Sequence, residues 1–147
     1  MHLIKICKSA KKSASDLAVL SNSKRNKILE DLSKNLDERK EEIFNSNKKD
    51  LKKNKTLSKE LKDRLIINDK KLKDIIRSIK NVKKLNDPLN GSEEYVRKDG
   101  LEIIKKVIPI GVICAIYESR PNVTIDITSL CIKSVSYTHL TLPTRYR

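Results

Sequence analysis

The chain has 147 residues and a formal net charge of +14, and 37% of its residues are hydrophobic but only 3% are aromatic. This length allows one domain with a modest, mostly aliphatic core. The longest uncharged apolar run, residues 107–117, is far shorter than the roughly 20 residues of a membrane-spanning helix, and the N-terminus lacks the pattern of a secretory signal. We therefore expect a cytoplasmic protein with no membrane partner.

The excess of lysine and arginine allows two interpretations, a solvated surface or a nucleic-acid interface. No aromatic stacking platform or zinc-finger spacing accompanies the basic residues. Opposite charges recur four residues apart, as on solvated helix faces, in the pairs Glu30/Lys34, Glu60/Arg64 and Asp69/Lys73. The pattern favours a solvated surface, and a basic helical nucleic-acid-binding module is the alternative.

The three cysteines, Cys7, Cys114 and Cys131, are far apart in the sequence and have no histidine nearby. Metal sites usually use close pairs of ligands, so no metal site is expected. Free cysteine is commonly buried, and we predict three free, buried thiols.

Residues 1–86 have the apolar periodicity of helices. A first helix ends at Ser21-Asn22-Ser23, and the second breaks near Asp37 before continuing. A short third helix is predicted around Ser58 to Leu65. Asn68 or Asp69 caps a fourth helix, which Asp87-Pro88 stops, because a residue before proline is disfavoured in the helical region. The predicted apolar stripe of this last helix is Leu72, Ile75, Ile76, Ile79 and Val82.

After residue 90, the spacing of the apolar residues changes from that of helices to that of strands. A hairpin is predicted over residues 94–107, with its turn at Lys98-Asp99-Gly100, because Asp-Gly between two strand-like runs is a hairpin signal. Residues 108–133 are predicted to form a strand, a loop and a helix. The strand, Val112 to Tyr117, is uncharged and suits a parallel sheet covered on both faces, which would bury Cys114.

The helix that follows is predicted to begin near Pro121, which suits a first helical turn. Its core-facing residues are predicted to be Val123, Ile127, Leu130 and Cys131. In α/β proteins, ligands bind where strands end and helices begin, and the unpaired N–H groups there attract anions. The loop Glu118 to Asn122 is therefore the predicted site.

Residues Ile108 to Asp126, and above all Tyr117 to Thr124 (YESRPNVT), resemble the signature region of the γ-glutamyl phosphate reductase family, in the aldehyde dehydrogenase superfamily. The likeness extends over residues 1–134 and includes Asp63-Arg64-Leu65. It implies an α/β fold, truncated here to the N-terminal helices, a β-hairpin and the first strand-helix unit of a Rossmann-type NADP-binding domain. A different aldehyde-dehydrogenase-like enzyme is a further alternative.

The resemblance implies NADPH-dependent reduction of L-glutamyl 5-phosphate to L-glutamate 5-semialdehyde and phosphate, in proline biosynthesis. It aligns Asn122 with the superfamily's side-chain donor to the developing oxyanion. It also aligns the backbone from Glu118 through Ser119 and Arg120 to Pro121 with the nicotinamide end of the cofactor. The superfamily nucleophile, a cysteine that forms a thioester, lies beyond the matched residues, so the chain is expected to be inactive by itself. The hairpin resembles one that helps subunits associate, and a solvent-exposed hairpin without this role is the alternative. The full-length enzyme is expected to be a homo-oligomer.

The family pattern ends after Lys133-Ser134, where a glycine turn, another strand and a glycine-rich loop would follow. Residues 135–147 contain no lysine and no acidic residue, yet they hold half of the chain's threonines and tyrosines. They resemble a translated sequencing adapter, and we predict that this tail is not native. Because the strand and hairpin would lack their sheet neighbours, residues 101–133 are predicted to aggregate or stay partly disordered.

Overall fold

The computed structural model describes residues 2–54, 56–118 and 120–139, which form a mixed α/β structure. Its helices are α1 (His2–Ala18), α2 (Asn22–Glu38), α3 (Lys40–Lys53), α4 (Lys59–Leu65), α5 (Asp69–Lys84) and α6 (Pro121–Lys133). Its strands are β1 (Ser92–Val96), β2 (Glu102–Lys106), β3 (Val112–Cys114) and β4 (Tyr137–His139). Within the described residues, no helix is both long and apolar enough to cross a membrane.

The helix starts follow the capping residues in the sequence. Ser21, Ser58 and Asn68 are the N-caps of α2, α4 and α5, and each side chain accepts a backbone N–H from the first turn. The predicted stop at Asp87-Pro88 is wrong by about one turn. Helix α5 ends at Lys84, and Pro88–Asn90 forms a separate 3-10 turn whose N-cap is Asp87.

The hydrophobic core lies between α2, α5 and α6. Leu29 is fully buried at its centre, together with the α5 residues Ile75, Ile79 and Val82. The α5 stripe is thus confirmed. The predicted core face of α6 is wrong in part, because Leu130 is 50% exposed, whereas Ile125 and Ile132 pack against the core. The helix is rotated relative to the prediction because its apolar residues nearly surround it, so their spacing does not select one face.

The hairpin forms near the predicted residues, as an antiparallel pair of β1 and β2 in which Tyr95 lies opposite Ile103. At the turn, Gly100 has φ +87°, and its N–H donates to the carbonyl oxygen of Arg97 (2.9 Å). Such a left-handed backbone favours glycine. The Asp-Gly signal therefore located the turn correctly.

The strand predicted at Val112 to Tyr117 is shorter and more exposed than expected. β3 ends at Cys114 and pairs, in parallel, with β4. Cys114 is exposed, so its predicted burial is wrong, and Cys7 is exposed as well. Only Cys131 is buried, although all three thiols are free, as predicted. In the described part of the chain, β3 has one strand neighbour, and its two faces are not both covered by other elements. Its apolar residues therefore remain at least partly accessible to solvent.

Residues 135 and 136, which begin the segment predicted to be non-native, are buried against α6 and its surroundings. The Ser136 N–H donates to the Cys131 carbonyl oxygen (2.8 Å), closing the end of the helix. Val135 has φ +58°, a conformation that β-branched residues rarely adopt and that glycine favours at helix ends. The backbone therefore turns at the position where the family resemblance implied a glycine. That the tail is not native stays a prediction, and residues 140–147 lie outside the described residues.

A buried charged cluster joins α2, the 3-10 turn at Pro88–Asn90 and the end of α6. The Arg25 guanidinium donates to the Asp87 carboxylate (2.7 Å) and to the Lys133 carbonyl oxygen (2.6 Å). The Lys133 ammonium donates to the side chains of Asn22 and Asn26 and to the Lys83 carbonyl oxygen. We call Arg25, Asp87 and Lys133 the charged clamp. It ties the C-terminal end of α6 to α2.

Burial and pairing shift the ionisation of this clamp. Burial alone would raise the pKa of the Asp87 carboxyl, but hydrogen bonds from Arg25 and from the Leu89 N–H outweigh it, and the pKa is lowered. Burial lowers the pKa of the Lys133 ammonium, and the nearby Asp87 charge only partly opposes this effect. The cluster contains two cations and one carboxylate. Asp87 is therefore the one group in the clamp that offsets the positive charge of Arg25 and Lys133.

Many of the basic side chains on the surface have acidic partners. The predicted pairs Glu30/Lys34 (3.2 Å) and Asp69/Lys73 (2.6 Å) are confirmed. In the third pair, the Arg64 charge helps to lower the pKa of Glu60, after hydrogen bonds from the Glu60 N–H and Ser58, although the two side chains are not in ion-pair contact. The paired charges fit the solvated-surface interpretation of the basic composition.

Candidate functional site

The predicted site loop connects β3 to α6. Glu118 and Arg120 are exposed, and Ser119 lies outside the described residues. Arg120 is the N-cap of α6, but its side chain makes no capping hydrogen bond, and its carbonyl oxygen accepts the Val123 N–H (3.1 Å). The first turn of α6 contains no acidic residue. This helix start therefore presents unneutralised positive potential toward the loop.

The two ends of the YESRPNVT octet are held together by a hydrogen bond. The Tyr117 hydroxyl and the Thr124 hydroxyl are 2.6 Å apart, and both side chains are half-buried. The bond closes the loop onto the first turn of α6.

Asn122 is the second residue of α6, and its side chain is exposed. Its amide nitrogen, Nδ2, donates to Oδ2 of Asp126 one helical turn later (3.4 Å, a long hydrogen bond). The other carboxylate oxygen of Asp126 accepts from the Ser78 hydroxyl of α5 (2.9 Å). A chain of side chains from α5 thus orients the amide, and the weak last bond leaves the amide N–H groups available to another acceptor.

Asn122 lies at the edge of a cavity of about 340 Å³ between α4, α5 and the start of α6. Three isoleucines and Pro121 form its apolar part. We call it the Asn122 cavity, and its polar lining residues are Arg64, Lys71, Asp74, Ser78, Asn122 and Asp126. Small-molecule sites are usually such concave, partly apolar pockets with a few polar groups. The structure brings Pro121 and Asn122 to this cavity, whereas Glu118 and Arg120 do not line it.

Sequence reasoning missed the carboxylate and the hydroxyl that hold Asn122. The spacing of Asn122 and Asp126, four residues apart on a helix, was a usable signal for their contact. Ser78 had no such signal, because it is 48 residues away from Asp126 in the chain. Within the described residues, no group of three or more His, Cys, Asp or Glu side chains is placed to hold a metal ion.

Comparison with curated proteins gives close relatives, although no family model matches the chain. The chain is 42% identical over 132 residues to the gamma-glutamyl phosphate reductase of Leptospira interrogans, a match that covers 88% of this chain and 32% of that protein. It is 41% identical over 136 residues to the gamma-glutamyl phosphate reductase of Dictyoglomus turgidum, covering 90% of this chain and 33% of that one. The chain therefore spans about a third of the length of these relatives.

Two solved structures of enzymes with the same name have the same fold. The gamma-glutamyl phosphate reductase of Thermotoga maritima matches with a TM-score of 0.86 and 35% identity, over 92% of this chain and 34% of that one. The Saccharomyces cerevisiae enzyme matches with a TM-score of 0.81 and 33% identity, over 92% and 36%. The family resemblance and the truncated α/β fold predicted from the sequence are thus confirmed.

Proposed function

We propose that this chain is the N-terminal part of a γ-glutamyl phosphate reductase, in which Asn122 donates a hydrogen bond to the substrate's acyl oxygen. The observation that carries this proposal is the exposed amide of Asn122 on a cavity whose lining is partly apolar and partly polar. Identity of about 40% to reductases over nine-tenths of the chain supports the assignment. The proposed enzyme acts on a small molecule in the cytoplasm, and the proposed hairpin role is to join subunits of a homo-oligomer.

The proposed chemistry has two steps in which the acyl oxygen gains negative charge. A cysteine thiolate from the part of the enzyme beyond the matched residues attacks the acyl phosphate, phosphate leaves, and a thioester forms. Hydride addition to the thioester and loss of the thiolate then give the aldehyde. In each step, a fixed amide donor stabilises the oxyanion more strongly than it stabilises the neutral carbonyl. The Ser78–Asp126 pair keeps that donor at the cavity edge.

NADPH is the cofactor that we propose, and it would supply the hydride. Glu118, Arg120 and the first turn of α6 fit a role beside it, because these two side chains are exposed and that first turn contains no acidic residue. We propose that the backbone of Glu118, Arg120 and Pro121, with Ser119 between them, borders the nicotinamide end. Arg120 adds a positive charge at the same place.

The test uses a chimera in which residues 1–134 replace the matching third of the T. maritima reductase. Assayed as NADP- and phosphate-dependent oxidation of glutamate semialdehyde, the chimera should be active. Asn122→Ala should lower kcat by about 100- to 1,000-fold, as expected for losing one oxyanion donor. Asn81→Ala, which removes an exposed asparagine from α5, is the matched control and should keep full activity. A folded but inactive chimera, or an Asn122→Ala variant with normal kcat, would refute the proposal.

A further inference from the structure

The Asn122 cavity contains four charged side chains, and two of them already have partners, Lys71 through hydrogen bonds and Asp74 through an ion pair. The Lys71 ammonium donates to the carbonyl oxygens of Asp63 and Ile66 (2.8 Å to the latter), so it caps the end of α4. Asp74 forms an ion pair with Arg77, its neighbour on α5. Neither group is therefore free to define what the cavity binds. The remaining two, Arg64 and Asp126, decide its chemistry.

Arg64 lies in the last turn of α4 and is exposed. Its guanidinium has no hydrogen bond or ion pair with any residue that the structure describes, and its charge helps to lower the pKa of Glu60. A guanidinium presents five N–H donors in a planar fork, which matches a carboxylate with two parallel hydrogen bonds. Arg64 is thus an available cation at the cavity.

Asp126 is half-buried, and among the described residues it accepts hydrogen bonds only from neutral groups, the Ser78 hydroxyl and the Asn122 amide. An ionised carboxylate has about four acceptor positions, so about two remain open. Ser78 and Asn122 donate hydrogen bonds to the Asp126 carboxylate but carry no charge. An ammonium group in the cavity would neutralise the negative charge of Asp126. Asp126 is thus the matching anion.

We propose that the Asn122 cavity binds the zwitterionic α-amino acid end of the substrate, with Arg64 on its α-carboxylate and Asp126 on its α-ammonium group. This rests on the proposed function and names the part of the substrate that this chain recognises. One cation without a hydrogen-bond partner among the described residues and one carboxylate with open acceptor positions, in a cavity of about 340 Å³, complement a ligand carrying both charges. The acyl end of the same molecule then reaches Asn122 at the edge.

The recognition also links binding to catalysis. In the structure, Asp126 holds the Asn122 amide through a bond of 3.4 Å. An ammonium group can bind the open acceptor positions of Asp126 and leave this bond in place, so the amide stays oriented and its second N–H can donate to the acyl oxygen. The best substrate is therefore one that carries both α-substituents.

The experiment measures specificity in the chimera described above. Arg64→Gln should raise KM for glutamate semialdehyde by about 10- to 100-fold, the loss expected for a hydrogen bond between charged groups, and leave KM for inorganic phosphate unchanged. It should also abolish the preference over 4-aminobutanal, which lacks the carboxylate. Asp126→Asn should abolish the preference over 5-oxopentanoate, which lacks the ammonium group. Arg64→Lys should restore part of the affinity, because it keeps the charge without the planar fork.

Arg39→Gln is the matched control, since Arg39 is an exposed arginine that pairs with Glu42 outside the cavity, and it should leave all these constants unchanged. An active Arg64→Gln chimera with an unchanged preference among the three aldehydes would overturn the site proposal while the proposed function stands. An increase in KM for phosphate instead of the aldehyde would also overturn it, because Arg64 would then bind the phosphoryl group. An inactive but folded parent chimera would refute the proposed function itself.

Discussion

Removing the Asp87 carboxylate should destabilise the chain more than removing any surface charge. In the charged clamp, Asp87 is 2.7 Å from the Arg25 guanidinium, and their side chains are only 7% and 3% exposed. Asp87→Ala leaves two buried cations, Arg25 and Lys133, without a counter-charge. It also removes the hydrogen bond that caps the 3-10 turn at Leu89 (3.1 Å).

The expected cost follows from this burial. Breaking a buried ion pair by deleting one partner costs about 3–5 kcal/mol, because the remaining charge stays desolvated. The Arg25 Nε has no hydrogen-bond partner among the described residues, so no hydrogen bond at this atom offsets the loss of the Asp87 carboxylate. Domains of this kind have a total free energy of unfolding of about 5–15 kcal/mol. Asp87→Ala should therefore remove a large fraction of the stability and loosen the end of α6.

The free energy of unfolding can be measured by urea titration of the helical circular dichroism at 222 nm, at low protein concentration. Asp87→Asn should cost less than Asp87→Ala, since the amide oxygen still accepts hydrogen bonds. Replacing both partners, Arg25→Leu with Asp87→Leu, should cost far less than the sum of the single changes. Asp31→Ala, which breaks an exposed pair with Lys27, is the control and should leave the urea midpoint nearly unchanged. If Asp87→Ala shifts the midpoint no more than Asp31→Ala does, the clamp is not stabilising.

Three further predictions concern the core, the hairpin and the pH dependence. Leu29→Ala should cost about 3–5 kcal/mol in the same urea titration, because Leu29 is fully buried in the core; an unchanged midpoint would contradict this core. Gly100→Ala should cost about 1–2 kcal/mol in hairpin stability, since Gly100 has φ +87°, and the loss should be seen as faster hydrogen exchange of the β1 and β2 amides. Hydrogen bonds from Lys83 and then Lys34 lower the pKa of Glu30 to about 2 from 4.5. Because the unfolded chain binds that proton more readily, the stabilisation is present above pH 4.5 and is lost as the pH falls toward 2; Lys83→Ala should weaken this acid dependence.

Local features of the sequence determined where most elements begin. Capping serines and Asn68, the Asp-Gly turn and the α5 stripe follow rules that act over a few residues, and the structure agrees with them. The octet Tyr117–Thr124 likewise identified the loop and the family from its residues alone. These predictions succeed because hydrogen bonds within a turn or a cap are decided by neighbours in the chain.

Tertiary packing decided the rest. The contact of Ser78 with Asp126 joins residues 48 apart, and the contact of Arg25 with Lys133 joins residues 108 apart, so no local pattern marks either of them. The exposure of Cys114 and Leu130 depends on which elements pack over β3 and α6. The apolar sequence of residues 112–117 does not indicate whether another element covers the strand. A sequence specifies which residues can be buried or bonded, but the partner is chosen only when distant elements pack together.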